Sequence, residues 1–223
     1  MQTVDFYFDY LSPFSYLASL RVGEVCSAAN AEVVFRPILF PALLNHWGQR
    51  GPAEIPPKSV HTFKECLRYA LARGVPFRAP KLHPFNPLLA LRVTCAAESE
   101  RERQRVASVL YALGWADGGD LSSRDEISAA LARDGLSATE LLERAETSAI
   151  KQLLRAETDL AIARGVFGIP TMLVGDELFW GVSQLDALQL HLTGRDPLQQ
   201  LDWKQLAPQG MGAWRRSVGR PDG

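Results

Sequence analysis

The sequence predicts an α/β chain in which an all-helical insertion splits a small sheet-bearing unit into two halves. Three observations predict it. Strand and helix signals alternate as β-α-β up to about residue 40, strand signals vanish from there to about residue 164, and a β-β-α pattern follows. At 223 residues, 47% hydrophobic and 22% charged, the chain has the size and composition to bury one core, with or without an inserted subdomain.

Val4-Asp5-Phe6-Tyr7-Phe8 is β-branched and aromatic with rough period-two alternation, which predicts a first strand. Ser12-Pro13 then opens a helix, because serine at N-cap accepts from an orphan amide and proline at the first helical position loses no bond. Leu17, Leu20, Arg21 and Val25 carry that helix at helical spacing to Asn30. Glu32 to Pro37 reads as a second strand, closed by a proline that cannot donate to a ladder. In the middle of the chain the punctuation is helical: Asn86-Pro87 precedes Leu88-Leu89-Ala90-Leu91, and Ser123-x-x-Glu126 and Ser137-x-x-Glu140 are capping boxes. The sign-alternating run from Glu98 to Arg105 predicts a solvated helix face and no site.

After Gly165, Ile169 to Val174 predicts a strand, Gly175-Asp176-Glu177 a turn, and Leu178-Phe179-Trp180 the returning strand of a hairpin. A last helix begins at Ser183 and runs through Leu192. This order is thioredoxin-like. The expected organisation is residues 1–40 as the first half of that domain, 41–164 as the helical insertion, 165–194 as the second half, and 195–223 as a C-terminal extension. The extension is rich in Pro, Gly, Gln and Arg with Trp203 and Trp214 isolated in it, as in a weakly structured extension or an arm that packs on a neighbour.

Lys and Arg number 24 against 25 Asp and Glu, so the net charge of -1 supplies no footprint for nucleic acid or an anionic membrane surface. The amino terminus has no basic leader and no segment is apolar for the ~18–20 residues of a membrane span, so a cytoplasmic location is expected. Cys26, Cys66 and Cys95 are odd in number and form no C-x-x-C pair, which fits a reducing compartment; Cys66 and Cys95 fall in helical apolar patterns as core residues, and Cys26 lies in the first helix. His46, His61, His83 and His191 lack metal-ligand spacing, so no metal is expected. Trp47, Tyr69 and Phe77 suit either an aromatic pocket or the core.

In a thioredoxin-like fold the chemistry lies at the start of the first helix, where unpaired amides and the dipole favour a thiolate. Redox members carry Cys-x-x-Cys there, and this chain has Ser12-Pro13-Phe14-Ser15. A hydroxyl forms no disulfide, but it can donate to a thiolate brought by another molecule such as glutathione. Lowering a thiol pKa by two units takes ~2.7 kcal/mol, the size of one charge-assisted hydrogen bond plus a dipole contribution. On spacing alone, plain helix capping by Ser12 is the prevailing reading, and the rest of the chain is what favours a site.

Phe8-Asp9-Tyr10-Leu11-Ser12-Pro13-Phe14-Ser15-Tyr16, Gly48-Gln49-Arg50-Gly51-Pro52 with Pro57-Lys58, His83-Pro84-Phe85-Asn86, and Gly165-Val166-Phe167-Gly168-Ile169-Pro170-Thr171 occur in order along the chain. As a set they resemble the 2-hydroxychromene-2-carboxylate isomerase family, which is similar to kappa-class glutathione transferases and, more distantly, to DsbA. The resemblance implies a glutathione-dependent isomerase, commonly a homodimer, acting on a small aromatic carboxylate, with glutathione as a regenerated cofactor. It implies that Ser12 faces the glutathione sulfur as the catalytic residue. Ile169, before a cis Pro170, would pair with the peptide backbone of glutathione. The loop Trp180-Gly181-Val182-Ser183 would hold the γ-glutamyl carboxylate, although Ser183 stands where the family often has an acid. Substrate or glutathione carboxylates would meet Arg50 and Lys58. Asn45, Gln49 and Phe85 are the other implied substrate contacts: Asn45 stands near a position where some members carry lysine, Gln49 where asparagine is common, and Phe85 where some carry tyrosine. The rival expectations are a kappa-like transferase or peroxidase that consumes glutathione, and a non-catalytic glutathione-binding protein.

Overall fold

The computed structural model describes residues 1–206, which leaves Trp214 and residues 207–223 of the expected extension outside the described residues. Its sheet has the order β2-β1-β3-β4. β1 (Thr3–Phe8) pairs in parallel with β2 (Glu32–Pro37) across the crossover helix α1 (Pro13–Ala28). β3 (Thr171–Val174) runs antiparallel to β1 with Tyr7 opposite Thr171, and β4 (Glu177–Trp180) returns beside it with Trp180 opposite Thr171. This is the thioredoxin-like order expected from the sequence. Antiparallel pairing brings the end of β1, the start of β3 and the end of β4 to one end of the sheet, so the residues that follow or precede those points share one neighbourhood.

Between the two halves come α2 (Phe40–Trp47), α3 (Pro56–Ala72), α4 (Leu88–Cys95), α5 (Glu100–Tyr111), α6 (Arg124–Arg133), α7 (Ala138–Ala145) and α8 (Ser148–Ala163). The last helix, α9 (Leu185–Leu192), packs on α1. One continuous apolar cluster joins Phe6, Phe8, Leu17 and Phe35 of the sheet unit to Leu91, Leu110, Trp115 and Leu142 of the helices. The insertion therefore completes the core of the sheet unit instead of standing apart from it. On the opposite face, Tyr7, Ile38, Leu43, Val166 and Leu173 form a second cluster.

Several local expectations need correction. α1 ends at Ala28 because Asn30 takes a left-handed φ of 53° in the turn before β2. The Ser123 cap forms, its Oγ accepting from the Glu126 amide, whereas the Ser137 side chain caps nothing. Leu136, one residue earlier, instead supplies a carbonyl to the Ala138 amide. The Glu98–Arg105 face is not merely solvated: the Glu100 carboxylate accepts from the Phe35 amide at 2.7 Å, and Gln104 donates to the Val33 carbonyl at 2.9 Å. β2 is the sheet edge, and these side chains occupy its open backbone groups, which blocks pairing with another strand. Finally, β3 begins at Thr171 and not at Ile169, since Ile169-Pro170 is cis and proline has no amide to extend the ladder.

Candidate functional site

The site is built at the shared end of the sheet. Ser12 caps α1 as its sequence predicts: extended at φ -97°, it accepts through Oγ from the Ser15 amide at 3.1 Å. That bond uses a lone pair of the hydroxyl and leaves its proton free to donate. Among the described residues no acceptor takes that proton, and Ser12 is 8% exposed at the helix N-terminus. A polarised donor at the positive end of a 16-residue helix is suited to an anion. Ser15, the fourth residue of the motif, is fully buried, and its Oγ has no hydrogen-bond partner.

Facing this helix start across the sheet end, Ile169-Pro170 is cis, as the resemblance implies. Ile169 is nearly buried, and neither its amide nor its carbonyl bonds to another described residue, so this peptide presents an open backbone edge. The hairpin closes against it through the Gly181 amide, which donates to the Pro170 carbonyl at 2.8 Å. Gly181 reaches that bond at φ +98°, a left-handed value that favours glycine. This corrects one expectation, because the Gly181 amide is already engaged and only Val182 and Ser183 bring opening amides of the turn leading into α9. Ser183 is exposed, Val182 is buried, and Trp180 is half-exposed with its ring edge on Phe167. A Cβ on Gly168 would meet the Trp180 indole nitrogen at 2.6 Å, so glycine there is what lets the indole lie over the Ile169-Pro170 loop.

The residues expected to meet substrate are less gathered. Asn45, Gln49, Arg50 and Lys58 are all exposed, on α2, the loop after it and the first turn of α3. Arg50 turns back to its own loop, donating to the Glu54 carbonyl at 3.0 Å. Phe85 is buried in the main core beside the His83 ring, which makes it packing and not an exposed contact. Trp47 is neither core nor free, since its indole N–H donates to the Val166 carbonyl and fastens α2 to the Ile169 loop. Phe77 stacks between Tyr16 and Trp115, and Tyr69 receives a bond from Arg21 and the Arg73 guanidinium over its ring.

Sequence reasoning missed the scaffold behind Ser12. The turn Asp9-Tyr10-Leu11 is held on every side: Trp115 donates to the Tyr10 carbonyl, His83 bonds the Leu11 carbonyl, and the Tyr10 hydroxyl meets Thr94. Asp9 is completely buried, yet its carboxyl accepts from the Leu11 and Phe40 amides at 3.0 and 2.9 Å. The available signal was a carboxylate placed inside an aromatic strand end, Phe8-Asp9-Tyr10, where only a paired or functional acid is tolerated.

Cys26, Cys66 and Cys95 are buried, and burial raises all three thiols, Cys26 to about 11 and Cys95 to about 12. They offer no nucleophile. An aromatic disulfide reagent at neutral pH should therefore leave the native protein unmodified and titrate three thiols only after denaturation; rapid modification of any one in the native state would contradict this placement. Among the described residues no group of His, Cys, Asp and Glu is arranged to hold a metal, and no helix is long and apolar enough to cross a membrane.

Comparison with known proteins agrees with this fold. The family model of the DSBA-like thioredoxin domain matches residues 3–193. A 2-hydroxychromene-2-carboxylate isomerase of Sphingobium xenophagum is 31% identical over 196 residues, covering 86% of this chain and 98% of that protein. Glutathione S-transferase kappa 2 of Caenorhabditis elegans is 28% identical, covering 78% of this chain and 82% of its own. A solved structure of a 2-hydroxychromene-2-carboxylate isomerase superposes with a TM-score of 0.79 at 25% identity, over 92% of this chain and all of the other.

Proposed function

The chain belongs to the 2-hydroxychromene-2-carboxylate isomerase family of DsbA-like thioredoxin domains, and from that premise we propose that it is a glutathione-dependent isomerase of a chromene-type aromatic carboxylate. The observation that carries this reading is the polarity of the Ser12 hydroxyl, accepting from the Ser15 amide and free to donate outward where redox relatives keep sulfur. The residues present fit the tripeptide: an outward hydroxyl proton, an open peptide edge at Ile169, and the opening amides of Val182 and Ser183.

When bound, glutathione supplies a thiolate that adds to the conjugated substrate and is eliminated again unchanged. Ser12 donates a hydrogen bond that, with the α1 dipole, keeps the sulfur ionised at neutral pH. Ile169 would hold the peptide backbone of glutathione as an added strand along its open edge. Val182 and Ser183 amides receive the γ-glutamyl carboxylate. Trp180 and Phe167 form an aromatic wall beside that loop. Arg50 and Lys58, exposed on the α2–α3 side, are cations available to a substrate carboxylate, with the exposed amides of Asn45 and Gln49 on the same stretch of chain, whereas Phe85 is buried in the main core. The reading includes a cytoplasmic homodimer without nucleic-acid or membrane partners.

The test is turnover of 2-hydroxychromene-2-carboxylate by the purified full chain with glutathione. Isomerisation that requires glutathione and leaves its concentration constant supports the reading. Stoichiometric loss of glutathione would make the chain a transferase or peroxidase, and tight glutathione binding without conversion would make it a binding protein. Sedimentation of the same sample checks the dimer.

A further inference from the structure

The buried carboxyl of Asp9 has no role in the reading above, and its geometry gives it one. It lies three residues before Ser12, whose own amide donates to the Asp9 carbonyl at 3.2 Å. One carboxylate oxygen accepts from the Leu11 amide and so closes the turn that aims Ser12. The other accepts from the amide of Phe40, the first residue of α2. α2 has no cap of its own, since the residue at its N-cap is Leu39. Asp9 thus caps a second helix from a distance, and that helix carries Trp47, whose indole N–H donates to the Val166 carbonyl just before the Ile169 loop.

We propose that Asp9 is a positioning residue that holds the Ser12 turn and the N-terminus of α2 in one register, with the charge on its carboxylate as the clasp. An ionised carboxylate has acceptors for both amides, whereas a protonated one turns a donor towards one of them and the clasp opens on that side. The groups facing it are the phenols of Tyr10 on the turn and Tyr111 on α5 and the amides of Tyr10, Leu11 and Phe40; Tyr111 donates to the Asp9 carbonyl at 3.4 Å, and among the described residues no Lys, Arg or His contributes to its charge balance. Burial without a cation pushes Asp9 up to about 7, against which its amide bonds act. The clasp is therefore half-closed near neutrality and closed above it.

Linkage gives the sign. The folded chain keeps a proton that the unfolded chain releases near pH ~4, so stability from this group is greatest below ~4 and falls as pH rises to about 7, then levels. The amide signals of Leu11 and Phe40 should move together between about pH 5 and 9, with one shared midpoint, in the unsubstituted protein. Asp9→Asn should abolish that shared transition and flatten the fall in melting temperature over the same range. The catalytic part rests on the isomerase reading: Asp9→Asn should lower kcat about ten- to a hundred-fold at pH ~8. It should also remove the ionisation near neutrality from the pH profile and leave the KM for glutathione within about twofold.

Leu11 and Phe40 amides with separate midpoints, or with none, would overturn the clasp whatever the substrate. A kcat profile that Asp9→Asn leaves unchanged would overturn its role in the site. Absence of any chromene turnover in the parent protein would defeat the isomerase reading and leave the amide titration to decide on the clasp.

Discussion

Replacement of Ser12 by alanine should lower glutathione-dependent turnover about ten- to a hundred-fold, because it removes one hydrogen bond to an anion worth ~1.5–3 kcal/mol. The same loss should raise the pKa of bound glutathione by about one to two units, since each unit corresponds to about 1.4 kcal/mol. Two effects must be separated. Ser12 Oγ also caps α1 by accepting from the Ser15 amide, and losing that cap costs ~0.5–2 kcal/mol of stability. Ser12→Thr keeps hydroxyl and cap together and should preserve most turnover, while Ser12→Asp keeps an acceptor for the cap but places a negative charge against the sulfur. The ultraviolet absorbance of the bound thiolate, followed against pH, reads the chemistry independently of stability. If Ser12→Ala and the parent chain give the same thiolate titration, Ser12 is a cap and nothing more.

The largest stability effect is expected at Trp115. Its ring is 2% exposed, stacks on Phe77 at 5.8 Å between centroids, and donates from Nε1 to the Tyr10 carbonyl at 2.8 Å. The residue sits in the π-turn Ala112–Ala116 that follows α5, so the helical insertion reaches through it to the turn before Ser12. Trp115→Ala should cost ~3–5 kcal/mol through the cavity and the lost ring. Trp115→Phe should retain most of the packing and cost ~1–3 kcal/mol for a buried carbonyl left without its donor. Chemical denaturation measures both. A loss below ~1 kcal/mol for the alanine variant would mean that the insertion does not brace the site as described.

These two residues mark the difference between what could be read along the chain and what could not. Ser12-Pro13 is a local signal: cap chemistry, proline at the first helical position and the apolar spacing that follows act within one helical turn, and α1 forms where they say. The cis Ile169-Pro170 was implied by the family resemblance and not by any local pattern, and the antiparallel register of Tyr7 with Thr171 brings it to the same sheet end as the helix start at Ser12. Local pattern misled where long-range partners intervened. The charged run at Glu100 and Gln104 is bound to the β2 edge, which no spacing rule sees. Phe85, a candidate contact by resemblance, lies in the main core, a burial that no local spacing carries.

The sequence by itself determined the strand and helix order, the thioredoxin-like class, the absence of a redox pair and the serine at the helix start, because these depend on residue identity and near-neighbour geometry. Only the tertiary structure decided that Trp115 and His83 brace the Ser12 turn, that Gly181 spends its amide on Pro170, and that Asp9 joins that turn to α2. Each of those is a hydrogen bond between residues far apart in the chain or a burial imposed by several elements at once. Burial converts Asp9 from an ordinary carboxylate into one that titrates near neutrality, and no one-dimensional pattern carries the water excluded around it.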